Sequence, residues 1–367
     1  MKAEEDDRPV VLITGSAGFI GSRLVEDLHS DFRVVGLDKR LPDLPTPDVF
    51  TFHCDLSKDD YLGDTLVELR RMFGDKIASV VHLAAHCDYS GRPSPLYRDL
   101  NVGGTRRLLE QLQEFDVQQF VFLSSLLVME PSEDGHPLNE FSAIQPSWDY
   151  PISKRSAEWV VANRRSKIPA VVLRAAGVYD DDCHLEPLAC QIARIAERTF
   201  DSHLFPGNKD SGRPFLHVDD LVVCLRRIIE RRDRLYEYEL FLVGEEKTMT
   251  YSERQDRLGE LLHRVQWQTI RIPTAFARCW AWFKRKMAAA RHNDPLGQPW
   301  LIDLAGEHYP VNVFKAQKRL DWHPEHKLQA DLATMVANMR SDPKRWYDVN
   351  RLPIPSRCSS DNVDHTG

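Results

Sequence analysis

The stretch VLITGSAGFIG, residues 11–21, places three glycines behind an apolar run. The apolar run predicts a strand, and a helix is expected to begin near Phe19. The N-terminus of a helix offers unpaired N–H groups and a partial positive charge, which favour an anion. Gly15 would permit the tight turn, Gly18 would let a pyrophosphate approach the backbone, and Gly21 would let the helix lie close to the sheet. The stretch therefore predicts a dinucleotide-binding loop with GxxGxxG spacing.

A second signature lies in RVVGLDKR, residues 33–40, where Asp38 ends the second predicted strand. An acidic residue at this distance from the glycines binds the adenosine ribose in dinucleotide-binding units. Its carboxylate would repel a 2′-phosphate, which favours NAD over NADP. Because Lys39 and Arg40 follow directly and can receive that phosphate, NADP stays open as an alternative.

The order of apolar segments predicts the fold class. Short β-branched runs alternate with helical patterns, which indicates an α/β fold with a Rossmann-type doubly wound parallel sheet. The predicted NAD(P)-binding domain covers residues 9–175 with a further strand near 239–243, and residues 176–340 largely form a smaller, discontinuous substrate-binding lobe. Residues 1–8 and 351–367 are predicted to be flexible termini. Strands are predicted near residues 9–13, 33–37, 49–53, 79–83, 119–124, 169–173 and 239–243.

Composition argues against several classes of protein. With 367 residues, 42% of them apolar, the chain can bury a full core. The 48 basic and 55 acidic residues are mixed along the chain and give a net charge of −7, which argues against nucleic-acid binding. The seven cysteines form no CxxC pair, so neither a disulfide framework nor a metal site is expected. Reduced thiols, a charged start and no bilayer-length apolar run predict a cytoplasmic protein.

The segment YPISK, residues 150–154, is predicted to open a helix with Pro151 in its first turn. A spacing of four brings Tyr150 and Lys154 to one helix face. The nearby ammonium is expected to lower the pKa of Tyr150 toward the range useful for proton transfer. Tyr150 would then exchange the proton of a hydroxyl group while a nicotinamide exchanges the hydride.

Two serines end a predicted strand in FVFLSSLLVME, residues 120–130. Ser125 lies at the carboxyl edge of the sheet, where doubly wound sheets bind their ligands. It would donate a hydrogen bond to a substrate carbonyl as charge develops on the oxygen. The alternative is a serine at a strand end that binds only the backbone.

Six motifs occur in the order of the extended short-chain dehydrogenase/reductase family: TGSAGFIG, HLAA, NVGGT, SS before LLV, YPISK and RPFLHVDD. The chain resembles this family over roughly residues 9–340. The resemblance implies that Tyr150 and Ser125 carry the chemistry and that Lys154 binds the nicotinamide ribose. It implies cofactor binding by Gly15, Gly18, Phe19, Ile20, Gly21, Asp38, Asp55, Leu56, Leu83, Ala84, Ala85, Asn101, Tyr150, Lys154 and Ala176.

Departures from the family pattern reduce the number of reactions that are expected of this chain. Family dehydratases place a Thr-Asp-Glu set where this chain has Ser125, Leu126 and Leu127, so the acid and base for eliminating water are missing. Many sugar-nucleotide epimerases continue with VYG after the serine, and this chain reads VME. Gly177 stands where several epimerases direct an asparagine toward the substrate phosphates. Arg213 matches an arginine that relatives direct to a nucleotide diphosphate, and a surface salt bridge is its alternative.

Three functions stay open. The first is an NAD-dependent sugar-nucleotide epimerase, which Arg213 favours and toward which we lean. The second is an NAD(P)-dependent dehydrogenase of a sterol-like or other apolar alcohol, favoured by the aromatic helical segment 271–291 and by the missing VYG. The third is a non-catalytic NAD(P)-binding scaffold or sensor, against which the Ser, Tyr and Lys set argues. The expected partner is a small-molecule substrate.

Two further segments predict contacts with other molecules. Residues 271–291 put aromatic side chains at helical spacing among basic residues, which predicts a lid helix packed on the lobe. The alternative is an interfacial helix that contacts a membrane surface. Helices around residues 95–114 and 151–166 are those through which relatives dimerise, so a homodimer is expected. His217, Asp219 and Asp220 are expected to fix a loop and a helix start.

Overall fold

The structure is a computed structural model, and it describes residues 7–355 apart from residues 43, 45, 59–60, 90–91, 133–134, 164–166, 278 and 280–303. Its strands are β1 (Val10–Thr14), β2 (Arg33–Asp38), β3 (Phe50–His53), β4 (Lys76–Ile77), β5 (Ser79–His82), β6 (Asp116–Val117), β7 (Phe120–Ser125), β8 (Ala170–Ala175), β9 (Gly177–Tyr179), β10 (Leu204–Phe205), β11 (Phe215–His217), β12 (Tyr238–Val243) and β13 (Ile270–Arg271). Its longer helices are α1 (Phe19–Leu28), α2 (Leu62–Phe73), α3 (Thr105–Gln111), α4 (Asp149–Ala162), α5 (Glu186–Ala196), α6 (Val218–Glu230) and α7 (Tyr251–His263), followed by Phe314–Leu320, Leu328–Ser341 and Pro343–Val349.

The central sheet has seven strands in the order β12, β8, β7, β5, β1, β2, β3. Each neighbouring pair runs parallel, and each strand overlaps one of the predicted segments. The predicted Rossmann-type sheet is therefore confirmed. From β1 the chain proceeds to β2 and β3 on one side and then crosses to β5 on the other. Ligands of open α/β sheets bind where the strand order reverses in this way, outside the carboxyl ends of the strands.

Helices cover both faces of the sheet, which explains why the strands are apolar throughout. Successive side chains of a strand point to opposite faces. In β1, Val11 and Ile13 pack in the core formed with α1 and α6. Val10 and Leu12 pack in the second core, formed with α2, α3 and α4. The two cores hold the carboxyl ends of β1, β5 and β7 in fixed relative positions.

A third hydrophobic cluster lies in the lobe beyond the sheet. It combines α5 and α7 with the helices Leu328–Ser341 and Pro343–Val349, which come from separate stretches of the chain. The short strands β9 and β11 pair in parallel beside it. The lobe is thus assembled from separate stretches of the chain.

The folded chain extends further than predicted at its carboxyl-terminal end. Leu352 and Ile354 lie in the segment 351–367, which the sequence predicts to be flexible, yet both pack against the third cluster. The backbone N–H of Leu352 also donates to the Tyr347 carbonyl at 2.9 Å. Apolar side chains that find a partner in the lobe explain the difference.

The basic aromatic segment 271–291 falls mostly outside the described residues. Residues 274–277 are helical, with Phe276 more than half exposed and Ala277 buried. The remainder of the predicted helix, apart from Cys279, lies outside the described residues. Within the described part of the chain, no helix has both the length and the apolar character needed to cross a bilayer.

Candidate active site

The glycine loop connects β1 to α1 at the reversal point of the sheet. Gly15 has a φ of +73°, and a Cβ there would lie 2.8 Å from the backbone nitrogen of Ala84, which follows β5. A Cβ on Gly21 would lie 2.1 Å from the Gly15 carbonyl oxygen. Gly18 is the N-cap of α1 and provides no side-chain cap, so first-turn N–H groups stay available to a ligand. The loop thus has the close backbone approaches that the sequence predicts.

Gly21→Ala is expected to destabilise the protein by about 1–3 kcal/mol, the usual effect of overpacking. The added methyl group would meet backbone, which cannot move aside as a flexible side chain can. NAD affinity should fall with it, because the loop must shift. Urea denaturation and NAD titration would measure both effects.

Gly63→Ala is the matched control for that substitution. Gly63 lies in the first turn of α2 with nothing within 4 Å of a Cβ. Alanine there should leave stability unchanged or raise it by up to about 1 kcal/mol. Equal unfolding midpoints for the two variants would contradict the packing argument.

Asp38 joins the glycine loop to the end of β2. Its buried carboxylate accepts hydrogen bonds from the N–H of Ala17 at 3.0 Å and from the N–H of Arg40 at 2.9 Å. Asp55, after β3, accepts from the N–H and hydroxyl of Ser57 at 3.0 and 2.7 Å. Burial acts to raise the pKa of Asp55, but these hydrogen bonds and the charges of Lys58 and Lys39 together outweigh it and lower that pKa. Two acidic side chains therefore stand at the edge where the adenosine half is expected.

A buried histidine ties β5 to β1 and α3. His82 Nδ1 lies 2.6 Å from the Thr14 hydroxyl, and Nε2 lies 2.9 Å from the Thr105 hydroxyl. Burial, with a smaller contribution from Lys154, lowers the pKa of His82 to about 3, so the ring is neutral. The Thr14 hydroxyl also accepts from the N–H of Ala84 at 3.2 Å. These contacts fix the segment of residues 83–85.

Asn101 connects the loop after β5 to α4. Its Oδ1 accepts from the N–H of His86 at 2.7 Å, and its Nδ2 donates to the His86 carbonyl and the Ser153 hydroxyl, both at 2.9 Å. Asn101 lies in Tyr97–Gly104, which is a π-helix that continues into α3 and was predicted only as part of an ordinary helix. Leu56 lies close to Gly104, the last residue of this π-helix. A Cβ on Gly104 would lie 2.9 Å from the Leu56 carbonyl oxygen.

Tyr150 and Lys154 stand one turn apart at the start of α4, as predicted. Lys154 is buried, and its Nζ donates to the carbonyl of Leu123 in β7 at 2.8 Å. Burial lowers the pKa of Lys154 to about 8, so the amine remains mainly protonated at neutral pH. The ammonium is therefore held against the sheet.

The sequence predicts that the Lys154 ammonium lowers the pKa of Tyr150, and for the protein alone this prediction is wrong. Burial is the largest influence, and with the neighbouring thiol of Cys87 and the phenols of Tyr89 and Tyr97 it raises the pKa of Tyr150 well above its ordinary value. The Lys154 ammonium does not offset this effect. Among the described residues, the Tyr150 hydroxyl makes no hydrogen bond.

Ser125 ends β7 and caps the short 3₁₀-helix that follows it. Its Oγ accepts a hydrogen bond from the N–H of Leu127 at 3.2 Å. The backbone contact that the sequence leaves as an alternative is thus present, but it uses the oxygen as an acceptor. The hydroxyl hydrogen remains available for a substrate oxygen.

A buried ion pair that the sequence did not indicate connects α4 to strands β7 and β8. The Glu158 carboxylate in α4 receives Arg174 Nε and Nη2 at 3.0 and 2.8 Å and the Ser124 hydroxyl at 2.6 Å. Glu158 and Arg174 are each nearly inaccessible to solvent. The network joins the helix that carries Tyr150 to β7 and β8.

One cavity of about 700 Å³ opens from the carboxyl edge of the sheet into the lobe. Lys154, Asn101 and the three glycines do not line it. Asp38, Asp55, Leu56, Leu83 and Ala84 are not among its lining residues either. The predicted site residues that line the cavity are Phe19, Ile20, Ala85, Ser125, Tyr150, Ala176 and Arg213.

The cavity contains charged side chains, most of which sequence reasoning missed. Arg213 Nη2 lies 3.0 Å from Glu307 Oε2, and the Tyr309 hydroxyl donates to the same oxygen at 3.0 Å. Burial raises the pKa of Glu307, although Arg213 acts in the opposite direction. Arg213 and Glu307 are 94 positions apart in the sequence, so no local pattern could have revealed their contact. The charged lining residues are Arg194, Arg213, Arg254, Arg351, Glu186 and Glu307.

His217, Asp219 and His326 are close enough to be considered as metal ligands. However, His217 Nδ1 accepts the N–H of Asp219 at 3.2 Å as the N-cap of α6. A neutral imidazole that accepts at Nδ1 carries its proton on Nε2 and has no free lone pair there. Asp220 accepts the backbone N–H groups of Glu325 and His326, both at 3.0 Å. As expected from the sequence, these residues fix a helix start and a loop.

The parallel sheet with its glycine loop defines a dinucleotide-binding enzyme fold. The chain belongs to the NAD dependent epimerase/dehydratase family, whose profile matches residues 11–244. Members of this family are NAD-dependent enzymes, and this chain is therefore an NAD-dependent enzyme. The loop fits that cofactor, because α1 has an uncapped N-terminus and the buried Ser16 hydroxyl has no hydrogen-bond partner.

Three comparisons place the chain within the family. It is 24% identical to UDP-glucose 4-epimerase of Vibrio cholerae over 333 residues, which cover 87% of this chain and 92% of the relative. It is 25% identical to human (Homo sapiens) 3 beta-hydroxysteroid dehydrogenase type 7 over 358 residues, 86% of this chain and 91% of the relative. The solved structure of MoeE5 in complex with UDP-glucose and NAD is 26% identical, with a TM-score of 0.66 over 91% of this chain and 99% of MoeE5.

Proposed function

We propose that this protein is an NAD-dependent sugar-nucleotide epimerase. NAD supplies an acceptor and donor of hydride at the oxidised carbon. Tyr150, as phenolate, accepts the proton of the secondary hydroxyl and returns it after the hydride has come back to the other face of the ring. Ser125 donates its hydroxyl hydrogen to the same oxygen, and Lys154 binds the nicotinamide ribose.

The observation that carries this proposal is the shared cavity of Ser125, Tyr150 and Arg213. The two hydroxyl groups would act on the sugar while the arginine contacts the diphosphate, so one elongated ligand would reach both ends. UDP-glucose 4-epimerase of Vibrio cholerae and the UDP-glucose complex of MoeE5 support this choice of substrate class.

Dehydration, the other activity named for the family, is not supported by the cavity. Leu126 and Leu127 line it directly after Ser125. A hydrocarbon side chain cannot accept or donate the protons that elimination of water requires. We therefore exclude dehydration from the proposed function.

Incubation with NAD and UDP-glucose tests the proposal. Epimerisation returns the hydride, so a second sugar epimer should appear by NMR with no net gain in NADH absorbance. Candidate UDP-hexoses and UDP-hexuronic acids would be tested in the same way. Failure of all of them to give an epimer would reject the sugar-nucleotide proposal.

A dehydrogenase of an apolar alcohol is the second candidate, because part of the cavity wall is aromatic. Phe205 and Tyr251 stack with ring centroids 3.6 Å apart and face the cavity. Similarity to 3 beta-hydroxysteroid dehydrogenase type 7 also supports it. Accumulation of NADH with a 3-hydroxysterol would favour this candidate over epimerisation.

We also propose a cytoplasmic homodimer formed through the helices at residues 95–114 and 151–166. Ile152 and Trp159 of α4 are exposed, 45% and 62% respectively, on the surface that such a dimer would cover. The described cysteines are free thiols, which suits a reducing compartment. Equilibrium sedimentation showing only monomer would refute the dimer.

Membrane contact through residues 271–291 stays a prediction that binding to anionic liposomes would test.

A further inference from the structure

Arg254 brings a further cation to the cavity from the lobe. It lies in α7, and its guanidinium carbon is 5.3 Å from the Phe215 ring and 5.4 Å from the Tyr251 ring. Burial lowers the pKa of Arg254 only to about 10, so the group is charged at neutral pH. An arginine held between aromatic rings keeps its planar donors directed rather than mobile.

A buried chain of hydrogen bonds orients Arg254. Its Nε donates to Gln191 Oε1 at 2.5 Å, and Gln191 Nε2 donates to Gln255 Oε1 at 2.8 Å. Gln255 Nε2 then donates to the Ser202 carbonyl at 2.7 Å, and Trp267 Nε1 donates to the Ser202 hydroxyl at 3.1 Å. Gln191, Gln255 and Ser202 are almost fully buried. A network of this kind holds a binding group in place before the ligand arrives.

The terminal donors of Arg254 are left unused by the protein. Within the described residues, its Nη atoms make no hydrogen bond, and no carboxylate lies within ion-pair distance. Arg194, three residues after Gln191 on α5, also lines the cavity, and its buried Nη1 has no hydrogen-bond partner. A buried guanidinium donor without a partner, such as Arg194 Nη1, is unfavourable unless a ligand satisfies it.

Arg213 differs from these two residues because its charge is already compensated. Glu307 pairs with it at 3.0 Å inside the cavity. Arg213 also lies near enough to Arg254 to disfavour the charge of that group. With four arginines and two glutamates, the described lining has an excess of positive charge that a diphosphate dianion would balance.

We propose that Arg254 and Arg194 form an anion subsite that binds the diphosphate of the substrate, with Arg213 at its edge. The inference deepens the proposed function, on which the identity of the anion as part of a sugar nucleotide rests. The planar Arg254 fork would bind phosphate oxygens through its two Nη atoms, and Arg194 Nη1 would contribute a third donor. Arg254 is thus a binding residue and Gln191 a positioning residue.

The test compares Arg254→Met with Arg257→Met, a control on the same helix whose side chain does not line the cavity. Calorimetry on the NAD-loaded protein would measure binding of UDP, inorganic pyrophosphate and uncharged uridine. Arg254→Met should weaken UDP and pyrophosphate binding about 10-fold or more, the usual loss for a charged hydrogen bond. Uridine binding should not change, and Arg257→Met should match the wild type.

Arg254→Lys keeps the charge but not the fork, so it should recover part of the lost affinity. If Arg254→Met fails to bind NAD, the lysine variant alone decides the outcome, and it should still bind pyrophosphate less tightly than the wild type. Pyrophosphate binding that is unaffected by either variant would overturn the subsite. Absence of pyrophosphate and UDP binding to the wild type would overturn it as well.

The two proposals fail in different ways. If UDP-hexoses are epimerised with a KM that Arg254→Met leaves unchanged, the function stands and the subsite is wrong. If Arg254-dependent pyrophosphate binding is found but no sugar nucleotide is turned over, the subsite stands and the epimerase proposal is wrong.

Discussion

Tyr150→Phe should reduce turnover by a factor of about 10² to 10⁴, the range for losing a general acid–base group. The substitution removes one hydroxyl group, which makes no hydrogen bond among the described residues. The ring can keep its contact with Trp148, whose ring centroid is 5.5 Å away. NAD binding and the unfolding midpoint should therefore stay close to the wild-type values, so lost turnover would report on the proton transfer itself.

Tyr89→Phe provides the matched control for Tyr150→Phe. Tyr89 lines the same cavity, and desolvation raises the pKa of its phenol as well. Since the proposal gives Tyr89 no proton to transfer, its loss should change turnover much less. Equal effects of the two variants, or full activity of Tyr150→Phe, would show that Tyr150 is not the proton carrier.

The pH dependence of the rate is a second test of the role of Tyr150. Burial raises the pKa of Tyr150, and oxidation of a hydroxyl needs the phenolate, so the rate with the wild-type protein should increase as the pH rises from 6 toward the Lys154 pKa of about 8. Above that value Lys154 loses its charge and its hold on the ribose should weaken. In Tyr150→Phe the rising limb should disappear. A rate that falls as pH rises from 6 to 8 would contradict this assignment.

The parts of the site that the sequence predicted are those determined by local structure. Gly15 requires a positive φ, Gly21 requires a close approach within six residues, and Ser125 requires only a strand end. The four-residue spacing of Tyr150 and Lys154 likewise follows from a single helix. Short patterns of this kind are sufficient to predict local structure. The repeated alternation of strand and helix patterns then predicts the parallel sheet.

The parts that were missed depend on contacts between distant segments. Arg254 becomes a cavity residue because α7 packs on α5, which brings it to Gln191. Neither helix has a local sequence signal for that contact. The pKa of Tyr150 was predicted in the wrong direction for a related reason, since spacing shows the nearby amine but not the degree of burial.

Glu158→Ala should destabilise the protein by about 3–5 kcal/mol, because it leaves Arg174 charged, buried and without its partner. Arg174 has only 3% of its side chain exposed, so water cannot replace the lost carboxylate. Its Nη1 already lacks a hydrogen-bond partner. The Ser124 hydroxyl would lose its acceptor too. Urea denaturation of the NAD-free protein would measure the change in the free energy of unfolding.

Glu68→Ala is the control for this second substitution, because the Glu68–Arg71 pair is an exposed contact within one helix. Its removal should change stability little, since solvent screens such pairs. The double variant Glu158→Leu/Arg174→Met should recover much of the loss, because it removes both buried charges together. If Glu158→Ala unfolds at the same urea concentration as Glu68→Ala, the buried pair does not hold α4 to the sheet. If it is destabilised as expected, turnover at a temperature where the variant is still folded should also fall, because Tyr150 and Ser125 stand on the two elements that Glu158 joins.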